Sequence, residues 1–322
     1  MQRRQNFHHA GALAVAMALP GWVGCASSQP LKLGIHTWIG YETIQLAHDF
    51  KWLPGSVQLA NFPDIGNTAR ALELGEVDAA CLTLDDVLRI RAKGVGLTVA
   101  LVFDVSAGAD AVLVQPTIRT LADLAGKRIG VEPSALGTLM LGGLLKTARL
   151  RKPDVTLVAL MPEQQLQAWQ SGEVDALICY EPNATLLERK GARRIFDSRQ
   201  MPDTILDVLA VRLDRVGRRN DALHAAVGAH FRGLAHLKFN RQDAVYRIAA
   251  RQGMSPGEVQ SALGGVVLPT LEANRLYLSS TLGRLIPAAH GVSRQMVEAG
   301  LLVHDDPLIS IGNASWLPDD DA

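Results

Sequence analysis

The chain has 322 residues, 48% of them hydrophobic and 20% charged, with 32 Lys and Arg against 32 Asp and Glu. That length fits two compact units of ordinary globular composition, and a formal net charge of zero excludes the basic footprint of a nucleic-acid binder. After residue 30 no stretch is long and apolar enough to cross a bilayer.

Arg3 and Arg4 open a basic start, an apolar run follows from Ala10 to Leu19, and Pro20-Gly21-Trp22-Val23-Gly24-Cys25 closes it. A basic region, an apolar core and a small-residue cleavage site describe a secretory signal. The run is too short for a spanning helix, and the alternative is a buried N-terminal helix. Val23-Gly24-Cys25 resembles the bacterial lipobox, which implies that Cys25 carries lipid, begins the mature chain and anchors it to a bacterial membrane. Arg3-Arg4 with Phe7 nearby also resembles a twin-arginine signal with the Phe one place late. Residues 1–24 are thus expected to be signal, and residues 25–30 a polar tether.

Strand and helix patterns then alternate. Leu31 to His36 alternates as a strand, Tyr41 to Phe50 has helical spacing, and Val57 to Ala60 is a short strand. Asn67 can cap a helix running to Leu74, with Gly75 as its stop. Val77 to Leu82 is a strand, Asp85 to Ala92 a helix with Asp85 and Asp86 as capping candidates, and Leu97 to Phe103 a strand. Asp110 to Val114 leads into a second unit. There Lys127 to Val131 is a strand, Ser134 caps a helix from Ala135 to Ala148, and Thr156 to Leu160 is a strand. Pro162 starts a helix ending at Gly172. Ala176 to Tyr180 and Arg194 to Asp197 are strands, and Leu206 to Arg212 leads out. From Asn220 onward the pattern is helical: Ala222 to Phe239, Gln242 to Gln252, Ser255 to Leu263 with Ser255 and Glu258 as a capping box, Ser279 to Leu285, and Ser293 to Ala299.

Gly75-Glu76-Val77-Asp78-Ala79 recurs as Gly172-Glu173-Val174-Asp175-Ala176. Each copy follows an amphipathic helix and leads into an apolar strand carrying a cysteine, Cys81 or Cys179. Gly stops the helix, the acidic pair is expected to be solvated, and the strand enters a sheet. The expectation is an α/β chain of two similar lobes. Residues 31–104 and 208–322 form lobe 1 with the C-terminal helices, residues 105–207 form lobe 2, and two crossings near Phe103 and Leu206 form a hinge. Cys81 and Cys179 then lie in different lobes and are expected to be free, buried thiols.

The arrangement resembles the nitrate/sulfonate/taurine-type periplasmic binding proteins, relatives of the pyrimidine-precursor synthase-like family. The residues that carry the resemblance are Trp38-Ile39-Gly40-Tyr41, Gly75 to Ala79, Asp104 with Gly108-Ala109-Asp110-Ala111, Leu121 to Val131, and Tyr180-Glu181-Pro182. It implies a type II periplasmic binding protein fold with ligand in the interlobe cleft and delivery to an ABC permease and its ATPase.

Candidate ligand groups follow from where strands end. Trp38 and Tyr41 sit where a strand hands over to a helix, either lining the cleft or stapling the core. Asn67, Thr68, Ser134 and Ala135 stand at helix N-termini, one per lobe, where free N–H groups either meet a ligand or are simply capped. Asp64, Asp104 and Glu181 are carboxylates near strand ends or the hinge, able to hold a donor-rich ligand or to cap a loop. Few Lys or Arg lie nearby: Arg70 is one turn into its helix, and Lys127 and Arg128 lie at the far end of a strand. An aminopyrimidine-like or taurine-like organic solute therefore fits better than nitrate or sulfate.

The nine histidines make no metal pattern, and no nucleophile elbow, phosphate loop or dinucleotide signature is present. The expectation is a monomeric, lipid-anchored, periplasmic solute-binding lipoprotein without cofactor, metal or catalytic residues. The alternatives are an exported ligand sensor and an enzyme of the pyrimidine-precursor synthase type.

Overall fold

In a computed structural model, residues 29–281 and 283–319 are described. The expected signal and Cys25 lie outside them. The chain runs β1 (Leu31–Ile35), α1 (Glu42–Asp49), β2 (Val57–Asn61), α2 (Ile65–Leu74), β3 (Ala79–Thr83), α3 (Leu84–Ala92) and β4 (Leu97–Ser106). It continues with β5 (Asp110–Val114), β6 (Arg128–Val131), α4 (Ala135–Ala148), β7 (Thr156–Ala159), α5 (Pro162–Gln170), β8 (Ala176–Tyr180), α6 (Asn183–Glu188) and β9 (Arg193–Asp197). The last part is β10 (Leu206–Arg212), α7 (Val216–Phe239), α8 (Arg241–Gln252), α9 (Pro256–Leu263), β11 (Val266–Val267), α10 (Leu271–Leu278) and α11 (Leu285–Glu298).

Two sheets result, ordered β11-β4-β10-β3-β1-β2 and β7-β6-β8-β5-β9. Without β11 they match strand for strand. In each, one strand pairs in parallel with two others, and a strand that follows a passage from the other sheet inserts antiparallel beside one of these. Both β3 and β5 are fully buried and, but for Thr83 and Asp110 at their ends, apolar, as strands covered by helices on two faces must be.

The repeated pentapeptide explains how each sheet is pinned. Gly75 and Gly172 close their helices at φ 75° and 70°, a left-handed geometry that Gly adopts without steric cost. The following Asp grips the neighbouring strand. Asp78 Oδ2 accepts from Lys32 N at 2.9 Å, and Asp175 Oδ2 accepts from Arg128 N at 2.9 Å. Glu76 and Glu173 are exposed as expected, but the two Asp are not solvated charges. Asp78 is buried and pairs with Arg219; Asp175 pairs with Arg128. Each carboxylate supplies an acceptor to an N–H at the start of a strand, that of Lys32 in β1 or Arg128 in β6.

Several expectations about caps change. The N-cap of α2 is Asp64, not Asn67: its side chain accepts from Asn67 N. The N-cap of α3 is Thr83, and Asp85 and Asp86 lie buried in its first turn rather than capping it. No helix spans Ser279 to Leu285; helices lie on either side of it, and α11 absorbs Ser293. The Ser255–Glu258 capping box is formed, with Ser255 N donating to Glu258 Oε2 at 2.7 Å.

The chain passes between the sheets twice, between β4 and β5 and between β9 and β10. The passages are joined: Ser106 N donates to Ile205 O at 3.0 Å, and Ala107 N and Ala109 N both donate to Gly265 O. A Cβ on Gly265 would lie 2.8 Å from Ala109 N, so the close approach requires glycine there. Cys81 and Cys179 are both free and buried, on β3 of one sheet and β8 of the other.

Candidate ligand cleft

Where β1 ends, the chain makes a short 3-10 turn, Ile39–Tyr41, with Trp38 extended ahead of it. This turn positions three groups. Trp38 Nε1 donates to Asp104 Oδ2 at 3.0 Å, and Tyr41 Oη donates to Asp207 Oδ1. Between them Gly40 leaves the space that Asp104 fills: a Cβ at Gly40 would stand 1.8 Å from Asp104 Oδ2. Tyr41 also packs edge-on against His36 and Phe103, at 5.3 and 5.2 Å between ring centres. The Trp-Ile-Gly-Tyr sequence is thus a holder for two carboxylates, built from two donors and a gap.

Asp104 and Asp207 face each other because β10 pairs antiparallel with β4 in the register that opposes them. Both are buried. Burial pushes both carboxyls up from the usual range; the charge of Asp104 adds to the rise at Asp207, and that of Asp110 to the rise at Asp104. No N–H or O–H donor reaches Asp104 Oδ1.

In front of this pair lies a narrow cavity between the two sheets. His36, Trp38, Ile65, Thr83 and Asp207 line it from the six-stranded side, and Asp110, Leu136 and Tyr180 from the other. Trp38 and Tyr180 meet edge-to-face across it at 5.9 Å. Its lining contains no Lys or Arg.

The polar groups around the cavity are short of partners. Asp110 is 2% exposed, and its Oδ2 has no donor; burial raises its pKa to about 7, with Glu181 adding to the shift. Glu132, on the turn before α4, is 5% exposed with Oε1 unpartnered; burial and then Asp64 raise it to about 8. Burial lowers His36 to about 4, so it stands neutral at pH 7 with Nδ1 unpartnered.

Of the expected site residues, Trp38 lines the cavity, while Tyr41 and Asp104 form the layer behind it. Asp64, Asn67 and Thr68 are tied to one another. Asn67 N and Nδ2 donate to Asp64 at 2.7 and 2.6 Å, and Thr68 Oγ1 donates to Asp64 O at 2.8 Å. Ser134 Oγ accepts from Gly137 N at 3.0 Å, and Ala135 packs into the larger core. Glu181 is turned from the cavity: Oε2 accepts from Thr185 N at 3.0 Å, and Oε1 pairs with Arg194 at 3.3 Å.

Sequence reasoning passed over His36, Ile65, Thr83, Asp110, Glu132, Tyr180 and Asp207 as site residues. Asp110 and Tyr180 stand inside motifs already singled out. Asp207 carried its own signal, a lone carboxylate in an otherwise apolar strand before Arg212.

Residues 56–244 match the protein family described as NMT1/THI5 like. The taurine-binding periplasmic protein of Escherichia coli (strain K12) is 25% identical over 240 residues, covering 72% of this chain and 75% of that one. The alkanesulfonate-binding protein SsuA from Xanthomonas axonopodis pv. citri, solved bound to MOPS, superposes with a TM-score of 0.72 at 20% identity, covering 89% of this chain and 99% of that one. The desulfurization enzyme DSZB superposes with a TM-score of 0.59 at 20% identity, covering 89% of this chain and 97% of that one. These likenesses establish the two-lobed periplasmic binding protein fold, a fold that serves both binding and catalysis.

Proposed function

Because the chain belongs to the NMT1/THI5-like family, we propose that it is the extracytoplasmic solute-binding component of an ABC importer, closing two lobes over a small polar organic solute. Residues 31–104 and 208–322 then act as one lobe and residues 105–207 as the other, with the mature chain anchored through lipid on Cys25. One observation carries the reading: a cavity lined from both sheets, with buried polar atoms around it that have no partner among the described residues. A ligand touching both lobes stabilises the closed arrangement by its differential affinity. The taurine-binding relative supports a small organic solute.

Within this reading Trp38 and Tyr180 clamp the solute's flat or apolar part, and Asp110, Asp207, Glu132 and His36 meet its polar groups. Tyr41 and Asp104 hold the floor. Carboxylates with no basic side chain among them favour nitrogen donors over nitrate or sulfate.

A catalytic reading built on a cysteine nucleophile would need an activated thiolate. Burial raises the thiols of Cys81 and Cys179 well above their usual range, which argues against either in that role. Calorimetry against a solute panel tests the proposal. Measurable binding of a nitrogenous organic solute, recovered unchanged, is expected. Tight sulfate or nitrate binding unaffected by Asp104→Asn would overturn the ligand assignment, and a chemically altered solute would restore the enzyme reading.

A further inference from the structure

Lobe closure in this protein meets an electrostatic obstacle. Asp207 lines the cavity from the six-stranded sheet and Asp110 lines it from the five-stranded one. Their charges repel one another, and Asp104 behind them feels the same repulsion. Arg194 is the cation that reaches Asp110 by its field, but its guanidinium is already held by Glu188 at 3.0 Å, by Glu181 at 3.3 Å and by Gly108 O. The helix N-termini at the cavity, α2 and α4, give no compensation. Asp64 sits on the first, and Glu132 lies beside Ser134 at the second. An anion entering here meets carboxylates at every positive end.

The unpartnered atoms point the same way. Asp110 Oδ2 and Glu132 Oε1 are acceptors, buried and without donors. Asp104 and Asp207 stand opposite each other in the β4–β10 register, both buried, and two buried carboxyls so placed are best accommodated with a single proton between them. The titratable groups around that pair include Tyr41, Cys81, Asp85, Asp110 and, beside Tyr41, His36. Tyr41 Oη donates to Asp207 Oδ1, and none of the five brings positive charge at neutral pH, His36 being lowered to about 4 by burial.

We propose that the cleft selects an organic monocation whose N–H donors bridge Asp110 of one lobe and Asp207 of the other, entering in exchange for the proton held between Asp104 and Asp207. This rests on the receptor reading above and names its ligand class. The exchange balances: one positive charge enters, one proton leaves to solvent, and the pocket's net charge is unchanged. Asp110 and Asp207 become the two jaws of the specificity device, one on each side of the cavity. The raised pKa values of Asp110 and Asp104 accord with a pocket that holds protons at neutral pH when no cation is bound.

The test is calorimetric titration of the full mature protein with benzamidine and histamine as cations and ethanesulfonate as the anion. Each is run at pH 6 and pH 8 and in two buffers of different ionisation enthalpy. The expected result is binding of a cation, stronger at pH 8 by up to about tenfold per pH unit for one released proton. The buffers should report proton release at pH 6. Asp110→Asn should weaken the cation by roughly thirtyfold or more. Asp207→Asn should weaken it and abolish the buffer dependence, an effect that mere misfolding would not give. Ethanesulfonate binding with no cation binding would overturn this inference and leave the receptor reading standing. Failure of all three probes, with no change in scattering on adding any of them, would count against the receptor reading and the inference together. Cation binding with no proton release at either pH would overturn the exchange step.

Discussion

Gly40 is the residue on which the carboxylate holder turns, and Gly40→Ala is the sharpest perturbation of it. The added Cβ would fall 1.8 Å from Asp104 Oδ2, 2.4 Å from Asp104 Cγ and 2.6 Å from Trp38 Nε1. All of these atoms are buried, and Asp104 is 0% exposed, so the carboxylate has nowhere open to swing. Overpacking of this kind costs about 1–3 kcal/mol. Separating Trp38 from Asp104 forfeits a hydrogen bond to an acidic group, worth about 1.5–3 kcal/mol. Together roughly 4 kcal/mol is expected, a large share of the 5–15 kcal/mol of a typical protein. At about 2–4 °C per kcal/mol, Tm should fall by roughly 10 °C. Calorimetric or fluorescence melting measures this, with Gly228→Ala as the control. Gly228 lies inside α7 with nothing within 4 Å of the added Cβ, so that substitution should hold or raise Tm by the helix propensity it gains. Ligand affinity should fall with Gly40→Ala as well, because Trp38 loses its anchor at the cavity wall. A Gly40→Ala protein with unchanged Tm and affinity would refute the packing argument.

The buried carboxyls give the ligand-free protein a pH signature. A folded pKa raised above the unfolded value contributes stability that is full below the unfolded pKa and lost as pH rises through the folded one. Asp110 at about 7 and Glu132 at about 8 therefore predict a falling Tm from pH 6.5 to pH 8, above the range where His36 and His230, lowered to about 4 and 3, act in the opposite sense. A flat or rising melting profile across that window would contradict it. The thiols of Cys81 and Cys179 should resist alkylation in the native state and react on unfolding, as mass mapping reads out; a Cys81–Cys179 disulfide in the native protein would contradict the fold. Cys25→Ala should release the protein from membranes or stall its processing, and a wild-type protein that is soluble and begins elsewhere would remove the lipid anchor.

Local signals carried most of the architecture. The alternation of strand and helix, the glycines that stop α2 and α5, and the repeated pentapeptide are all short-range features, and the two matching sheets follow from them. What escaped is non-local. Asp78 reads as a solvated charge until β3 is laid beside β1, where its carboxylate meets Lys32 N. Asp207 reads as an oddity in an apolar strand until antiparallel pairing sets it opposite Asp104. The roles of Asp64 and Asn67 exchange because Asp, extended at φ −154°, holds the N-cap geometry and Asn67 supplies the donors. Glu181 had the position for a ligand group, but Thr185 N and Arg194 take its oxygens on the hinge side. The cavity wall is assembled from strand ends and helix starts spread between His36 and Asp207, so no window of sequence contains it.

The central claim is that a solute held between the sheets closes them without being changed. Small-angle scattering of the mature protein, titrated to saturation with the solute that co-purifies, tests it most directly. The account predicts a smaller radius of gyration at saturation, its return on dialysis, and recovery of the solute at unchanged mass. An unchanged radius of gyration at demonstrated saturation, or a solute recovered with altered mass, would contradict it.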